Sequence, residues 1–573
     1  MQKLPIGYDD FRELIINKLD FVDKTLLIRD IIEDNATKVA VILRPRRFGK
    51  TLNLSMLHYF LASEAYGRPT KGLFDHLKIA QAGEQYLSQQ GKYPVIFVTF
   101  KDIKTSDFQS AYEKLQELIS RVFDEHNYLE KSTKLSHHQR ERYNQILSGK
   151  ANRAQFENAL QTLTECIAEH HGVNPWLLID EYDSPIQAAY LNGYFTAMTD
   201  LMRGLLGAVL KTNPYLNRAV ITGILRVAKE NLFSGVNNLE VYSVLQPEYA
   251  EYFGFTELEV QALLQQAGYK SKIADIRDWY NGYQIGETTL YNPWSIVNCL
   301  KKKGELAPYW INTSDNQLIR TLLIKSSEHF KEAFEVLLQG KSVKKIIYED
   351  MVFADLIQNE RAAWSLLLAA GYLKVISKTL TLQGLECDLK IPNNEVKRLY
   401  QQIIMQWLGT AGGSERFTEF LNYLLTGNLD LFERNLRELM EESISHHDTG
   451  KQPEAFYHGL MLGLTASLYY DPNYELYSNR ESGYGRYDYL IVSKNPARPT
   501  VLLEFKKVDA VKGKAQISKK LQEAAQAALM QIEQHHYAAD AKQRGCTHTL
   551  KVGLAFCGKQ FRIAAAKKLS YLA

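Results

Sequence analysis

Cysteine is scarce in this chain. There are five in 573 residues: Cys166, Cys299, Cys387, Cys546 and Cys557. They are scattered, odd in number and without C-x-x-C spacing. That argues against a zinc site and a disulfide scaffold, and it suits a reducing compartment. An excess of charge of one sign is also missing. With 68 basic and 65 acidic residues the net charge is +3, so this is no whole-chain polyanion binder and any nucleic-acid surface must be local. No uninterrupted apolar run is long enough to span a bilayer. Asp9, Asp10 and Glu13 interrupt the segment where a signal peptide would be apolar. The expectation is a cytoplasmic protein with no membrane partner. Internal repeats and low-complexity segments are absent too. The adjacent pairs His137-His138, His170-His171, His446-His447 and His535-His536 read as exposed helix ends, because neighbouring helix residues do not face one another. What remains is an ordinary globular composition in a chain long enough for several domains, each with its own core.

The most informative stretch is Arg44-Pro45-Arg46-Arg47-Phe48-Gly49-Lys50-Thr51. It follows the apolar run Val39 to Leu43 and precedes Leu52 to Leu57, which has helical spacing. Strand, tight loop and helix, with the loop ending in Gly-Lys-Thr, is the context of a phosphate-binding loop. Helix-start N–H groups and the helix dipole favour an anion there. Arg46, Arg47, Phe48, Gly49, Lys50 and Thr51 are the candidate ATP-binding residues. Lys50 reaches the β- and γ-phosphates, and Thr51 places its hydroxyl on Mg²⁺. Arg44 stands where the usual first glycine would be, so the loop cannot open on the ordinary glycine turn.

A second strand, Trp176 to Ile179, ends in Asp180 and Glu181. In a phosphate-loop ATPase the first carboxylate orients the Mg²⁺ shell and the second polarises the attacking water. A solvated strand end is the bland alternative, but a metal explains two adjacent carboxylates there better. A third strand, Ala219 to Gly223, carries Thr222, a candidate γ-phosphate sensor, and leads to Arg226. Arg226 has two readings of equal weight: neutralising transition-state charge, or an ion pair at a helix start. Three strands with polar tips imply an open α/β sheet with its ligand at those ends.

Phe21-Val22-Asp23-Lys24-Thr25, Arg44 to Thr51, Leu178 to Asp183, Thr222 to Glu230 and Tyr291-Asn292-Pro293-Trp294-Ser295 together resemble a bacterial family. Its members are AAA-ATPase-like proteins with a C-terminal PD-(D/E)xK nuclease-like domain. In that family the loop has this arginine-rich form. The resemblance implies a P-loop NTPase core, a nuclease-like α/β domain and, as an open point, a homo-oligomer.

The C-terminal residues make the nuclease case by themselves. Tyr487 to Val492 and Thr500 to Lys506 read as neighbouring strands. Alternation puts Glu504 and Lys506 on one face with Phe505 opposite, and Asp488 on the next strand can meet them. Two carboxylates suit Mg²⁺ or Mn²⁺, and the ammonium can position water or stabilise the phosphorane. Helix Ala515 to His536 and strand Leu550 to Phe556 follow in the order of that nuclease core. The resemblance adds Glu454, which is equally well a helix-start acid, and Gln531 on the later helix. Lys506, Lys507, Lys512, Lys514, Lys519 and Lys520 form a local basic stretch beside the strand. It is either a solvated face or a nucleic-acid surface, DNA or RNA.

Between these ends, Ala362 to Leu373 reads as an apolar helix, followed by strands Lys374 to Leu382 and Glu386 to Ile391, a winged-helix-like pattern. Glu395 to Glu442 is helical, and His446 to Lys451 is the best linker. The expected division is an AAA-like ATPase domain over 1–315, a helical and winged-helix-like lid over 316–450, and the nuclease-like domain over 451–573. The expected function is ATP hydrolysis coupled to a metal-dependent nuclease, with defence against foreign nucleic acid as a setting. The rivals are an ATP-gated binding protein without nuclease activity and a plain ATPase with a decayed second site.

Overall fold

The computed structural model describes residues 4–226, 238–310, 319, 322, 327–349, 359–408, 413–445, 463, 468, 471, 473–482, 485–508, 514–534, 548–557 and 560–568. It divides into two compact units, Met1–Leu318 with Lys344–Val396, and Ile319–Val343 with Lys397–Ala573. Among the described residues no helix is long and apolar enough to cross a membrane. Cys166, Cys299, Cys387 and Cys557 are buried and free.

The first unit is built on a five-stranded sheet: β1 Val39–Leu43, β2 Val95–Thr99, β3 Trp176–Asp180, β4 Ala219–Gly223 and β5 Leu239–Tyr242. The order is β2-β3-β4-β1-β5 and every pairing is parallel. All five residues of β1, of β3 and of β4 are buried. Helices cover both faces of such a sheet, so these strands read as continuous apolar runs rather than as alternation. Register does the positioning. Thr99 pairs with Asp180, and Ile179 pairs with Ile221, which brings Thr222 level with Asp180. Helix α1, Lys50–Leu61, follows β1. The polar stretch between β2 and β3 forms α2 Phe108–Asp124, α3 His137–Leu147 and α4 Ala159–His171. Asp107 caps α2, and a Ser136/Gln139 capping box starts α3. These caps occupy orphan N–H groups that would otherwise fray. Helices α5 Ser184–Asn192 and α6 Phe195–Leu210 link β3 to β4.

The Phe21 to Thr25 motif is a brace. The Asp23 carboxylate accepts from Thr25 N (2.9 Å), Thr25 Oγ1 (2.7 Å) and Lys78 N (2.8 Å). Lys24 pairs with Glu259 at 2.6 Å. The Tyr291 to Ser295 motif starts α7, Pro293–Lys301, with Asn292 capping Trp294 N. Pro293 falls in the first turn, where its missing N–H costs nothing.

The compact units share the 316–450 segment between them. Its first part, β6 Val343–Ile347, α8 Glu360–Ala369, β7 Lys374–Thr381 and β8 Gly384–Lys390, forms a sheet of order β6-β8-β7 that belongs, but for Val343, to the first unit. Local bonds tie it there: Lys378 Nζ donates to Leu245 O at 2.8 Å, and Asn393 Nδ2 to Asn281 O at 2.8 Å. Helices α9 Asn394–Leu408, α10 Gly413–Leu425 and α11 Leu429–Ser445 group, from Lys397 onward, with the second unit. Within that unit the Phe334 and Tyr400 rings meet edge to face at 4.6 Å.

The second unit carries β9 Tyr474–Ser482, β10 Gly485–Ser493, β11 Thr500–Lys507, β12 Thr549–Cys557 and β13 Gln560–Lys568, in that order across one sheet. Only β11 and β12 are parallel. Parallel neighbours need a crossover, and α12 Lys514–Gln534 supplies it. One face of the sheet packs on α12: Leu490, Val492 and Leu502 against Ile532, and Ala555, Cys557 and Ala564 against Leu521, Ala525 and Leu529. Each large side chain buried this way contributes roughly 1.5–3 kcal/mol. Gly553 permits the approach, since a Cβ there would lie 2.5 Å from Ala525 O.

Candidate active sites

The nucleotide-site candidates gather at the C-terminal ends of β1, β3 and β4. Asp180 is fully buried. Its Oδ2 accepts from Thr51 Oγ1 at 2.7 Å and its Oδ1 from Thr222 Oγ1 at 2.6 Å, with Thr99 Oγ1 3.5 Å from Oδ2. Burial pushes the Asp180 carboxyl up, against the pull of the two hydroxyls. Lys50, also buried, donates from Nζ to Arg44 O (3.1 Å) and Pro45 O (3.0 Å). Burial lowers its pKa, and Glu181, Asp180 and Asp183 oppose that shift. Gly49, the N-cap of α1, takes φ 83, which glycine adopts without steric cost.

Arg44 resolves the missing glycine. It keeps an ordinary φ and turns its guanidinium away from the loop into the backbone beyond β5. Nη1 donates to Tyr242 O at 2.8 Å and Nη2 to Glu248 O at 2.6 Å. Burial depresses its pKa to about 9. Arg44 therefore fastens β1 to the edge of the sheet. The unusual dihedral moves to Arg47, at φ 66, a conformation that costs a non-glycine residue roughly 1–2 kcal/mol. Phe48 is buried edge-on to Tyr283 at 5.1 Å. Arg46 Nη2 lies 3.4 Å from Gln187 Oε1.

Glu181 also has a left-handed backbone, φ 52. Its Oε2 accepts from Ser184 Oγ at 2.9 Å. Burial pushes this carboxyl up, but Lys50, Ser184, Lys104 and Arg46 together hold it below its usual range. The chain thus sets its two adjacent acids apart, with Glu181 the readier anion. Asp183, quoted in the motif but given no role from sequence, is buried. Its Oδ2 accepts from Ile224 N (3.1 Å), Leu225 N (2.9 Å) and Gln187 Nε2 (2.7 Å). It pins the segment that leaves β4. Gly223 is required there, since a Cβ would lie 2.7 Å from the Tyr182 ring. Arg226 lies just past this point with Nη1 3.9 Å from Glu349 Oε2. Residues 227–230 of the motif lie outside the described residues. A carboxylate and a hydroxyl in contact at 2.7 Å, beside a buried ammonium, is a donor set that fits a magnesium-bound triphosphate.

The second site lies where β10 and β11 part. Tyr489 pairs with Leu503, so the next step of the register sets Asp488 opposite Glu504. Side chains directly opposite share a face. The ladder stops there because side chains take over: Asp488 Oδ2 accepts from Phe505 N at 2.8 Å. Lys506 Nζ lies 3.7 Å from Glu504 Oε1 on the same face. Gln531 of α12 bridges the two, accepting from Lys506 and donating to Glu504 Oε1. Tyr489, on the opposite face, donates to Glu335 at 2.6 Å. Glu504 is 4% exposed, and among the described residues its buried Oε2 has no hydrogen-bond partner. Burial, and then Asp488, push its carboxyl up to about 8. Burial also raises Asp488. A buried acceptor with no donor is costly. Two converging carboxyls, one with an open oxygen, fit a hard divalent cation. Glu454 lies outside the described residues, as does Lys512, while Lys507, Lys519 and Lys520 are exposed.

Sequence reasoning missed Thr99, the role of Asp183, and Ser184. Only Asp183 left a signal, an acid two residues past a carboxylate pair. His137 and His138 do sit exposed at a helix start, and with Glu141 their ligand atoms come within 4.8 Å of one another.

A parallel sheet with a Gly-Lys-Thr loop and an acidic strand tip defines a P-loop-like nucleotide-binding domain, and the second sheet with its Asp, Glu and Lys defines a nuclease-like fold. Residues 5–233 match the family model for the predicted AAA-ATPase, and residues 452–566 match that of the PD-(D/E)XK nuclease superfamily. The chain thus carries an AAA-ATPase-like domain and a C-terminal PD-(D/E)XK domain, as the resemblance implied. It is similar to a protein of Azotobacter chroococcum mcd 1 described as an uncharacterized protein in the vnfD 5′ region. The two are 26% identical over 552 residues, 95% of this chain and 94% of the relative.

Proposed function

We propose that this protein binds and hydrolyses ATP with Mg²⁺ and couples that cycle to a divalent-metal-dependent nuclease acting on DNA or RNA, in the cytoplasm, with defence against foreign nucleic acid as its setting. At the first site Lys50 binds phosphate and Thr51 and Asp180 hold the cation's shell. Glu181, the readier anion, takes a proton from the attacking water, and Thr222 reports on the γ-phosphate. Arg226 serves the hydrolysis step from the segment that Asp183 pins. At the second site Asp488 and Glu504 hold Mg²⁺ or Mn²⁺, which would supply Lewis-acid polarisation of the phosphodiester. Lys506, steadied by Gln531, offers its ammonium to the developing charge. Glu454 is carried as a further carboxylate on resemblance alone.

The observation that carries the nuclease reading is the convergence of Asp488, Glu504 and Lys506 on one face, with a Glu504 Oε2 that has no hydrogen-bond partner among the described residues. The test is incubation with labelled DNA and RNA, with and without ATP and Mn²⁺, for wild type, Lys50→Ala and Lys506→Ala. Cleavage that needs Mn²⁺ and Lys506 supports the reading. Nucleic acid bound but never cut would make the chain an ATP-gated binding protein instead.

A further inference from the structure

Arg47 occupies the loop position with φ 66, where glycine would be easier. Its guanidinium lies over the indole of Trp294, 4.4 Å from the ring centroid. Trp294 is fixed at both ends. Its backbone N–H donates to Asn292 Oδ1 at 3.0 Å, and its Nε1 to Tyr309 O at 3.2 Å. The carboxylates of Glu181 and Asp9 act on the same guanidinium, and Arg46 repels it. Trp294 falls outside residues 5–233, the part that matches the ATPase family. A strained loop residue and an anchored aromatic platform therefore meet beside the acid assigned to water activation. Backbone strain of this kind persists only where surrounding structure enforces it.

We propose that Trp294 is a positioning residue for nucleotide binding: it holds the Arg47 guanidinium, and with it the left-handed turn of the loop, ready for the γ-phosphate of a nucleoside triphosphate. The proposal rests on reading this loop as the ATP site. Stacking on an indole face leaves the guanidinium N–H groups in their own plane, where phosphate oxygens can accept them. Lysine keeps the charge but loses the planar fork. A diphosphate lacks the group that Arg47 would meet, so the pair favours triphosphate over diphosphate.

The experiment measures the affinities of fluorescent ATP and ADP analogues, with thermal melting in parallel. The proteins are wild type, Lys50→Ala, Arg47→Lys, Trp294→Phe, Trp294→Leu and the Arg47→Lys/Trp294→Leu double variant. Arg47→Lys and Trp294→Leu should each weaken ATP binding about tenfold and ADP binding less than about threefold. The double variant should be no worse than either single, because one contact is lost once. Trp294→Phe should stay near wild type. An unchanged ATP-to-ADP ratio in Trp294→Leu, with only a lower melting temperature, makes Trp294 a packing residue and overturns the proposal. Effects that add in the double variant overturn it as well. If Trp294→Leu does not fold, Arg47→Lys decides alone: an unchanged ratio sinks the idea. Wild type binding no tighter than Lys50→Ala removes the ATP reading itself, a different failure from intact binding with an indifferent Trp294.

Discussion

The two sites solve the problem of buried charge differently. In the first, every named group has partners within the protein. Asp180 holds two hydroxyls, Lys50 two loop carbonyls, and Asp183 two backbone N–H groups and an amide. In the second, Glu504 keeps a buried oxygen with no donor among the described residues and a carboxyl raised to about 8. A ligand at the first site must displace internal bonds. At the second, a cation would give Glu504 Oε2 a partner. Ligand should stabilise each unit by an amount set by its concentration relative to its dissociation constant.

The largest effects should come from the groups that meet ligand. Lys50→Ala should abolish nucleotide binding, whereas Glu181→Gln should keep binding and lose turnover by about 100-fold or more. Equal nucleotide affinity in wild type and Lys50→Ala would remove the first half of the comparison. At the second site Asp488→Asn should cost metal affinity and cleavage together. Lys506→Ala should cost cleavage with little change in metal binding, since an ammonium is no ligand. Calorimetry with Mn²⁺ alongside the cleavage assay separates the two, and neither change should alter ATP turnover without nucleic acid.

A smaller effect falls on stability. Asp183→Ala strips two backbone donors and an amide of their acceptor and should cost about 1–3 kcal/mol in denaturant unfolding. No loss would mean that the segment after β4 is held by other bonds. The smallest effect is at Arg226. Arg226→Ala should slow hydrolysis severalfold and leave nucleotide affinity nearly intact. If light scattering with ATP finds only monomer, Arg226 acts within its own subunit or not at all.

Strand β1, the loop and the acidic tip of β3 were legible because a sheet buried on both faces writes itself as an unbroken apolar run. Glu504 and Lys506 were legible through strand alternation, and the β10–β11 register then set Asp488 opposite Glu504. Partners fixed by distant backbone were not legible. The fastening role of Arg44 was not legible, because its carbonyl acceptors lie about two hundred residues away at Tyr242 and Glu248. Gln531 was carried only by resemblance, and its bridge between Lys506 and Glu504 depends on how α12 lies on the sheet. That the helix and hairpin within Lys344–Val396 group with the first compact unit also depends on contacts distant in sequence, such as Lys378 to Leu245.

The most direct test is Mn²⁺ binding to the second site as a function of pH. The Glu504 carboxyl in the folded protein lies above its ordinary 4.5, at about 8, so the native state holds an extra proton between those values. Without metal, stability should fall as pH rises through that window, because the unfolded state releases this proton first. Metal must displace the same proton, so Mn²⁺ affinity should climb with pH and level off above about 8. In Glu504→Gln, whose side chain carries no charge, both the binding and this part of the pH dependence should vanish while the fold remains. Mn²⁺ binding that is retained in Glu504→Gln, or that is flat from pH 6 to 8.5, would contradict the account.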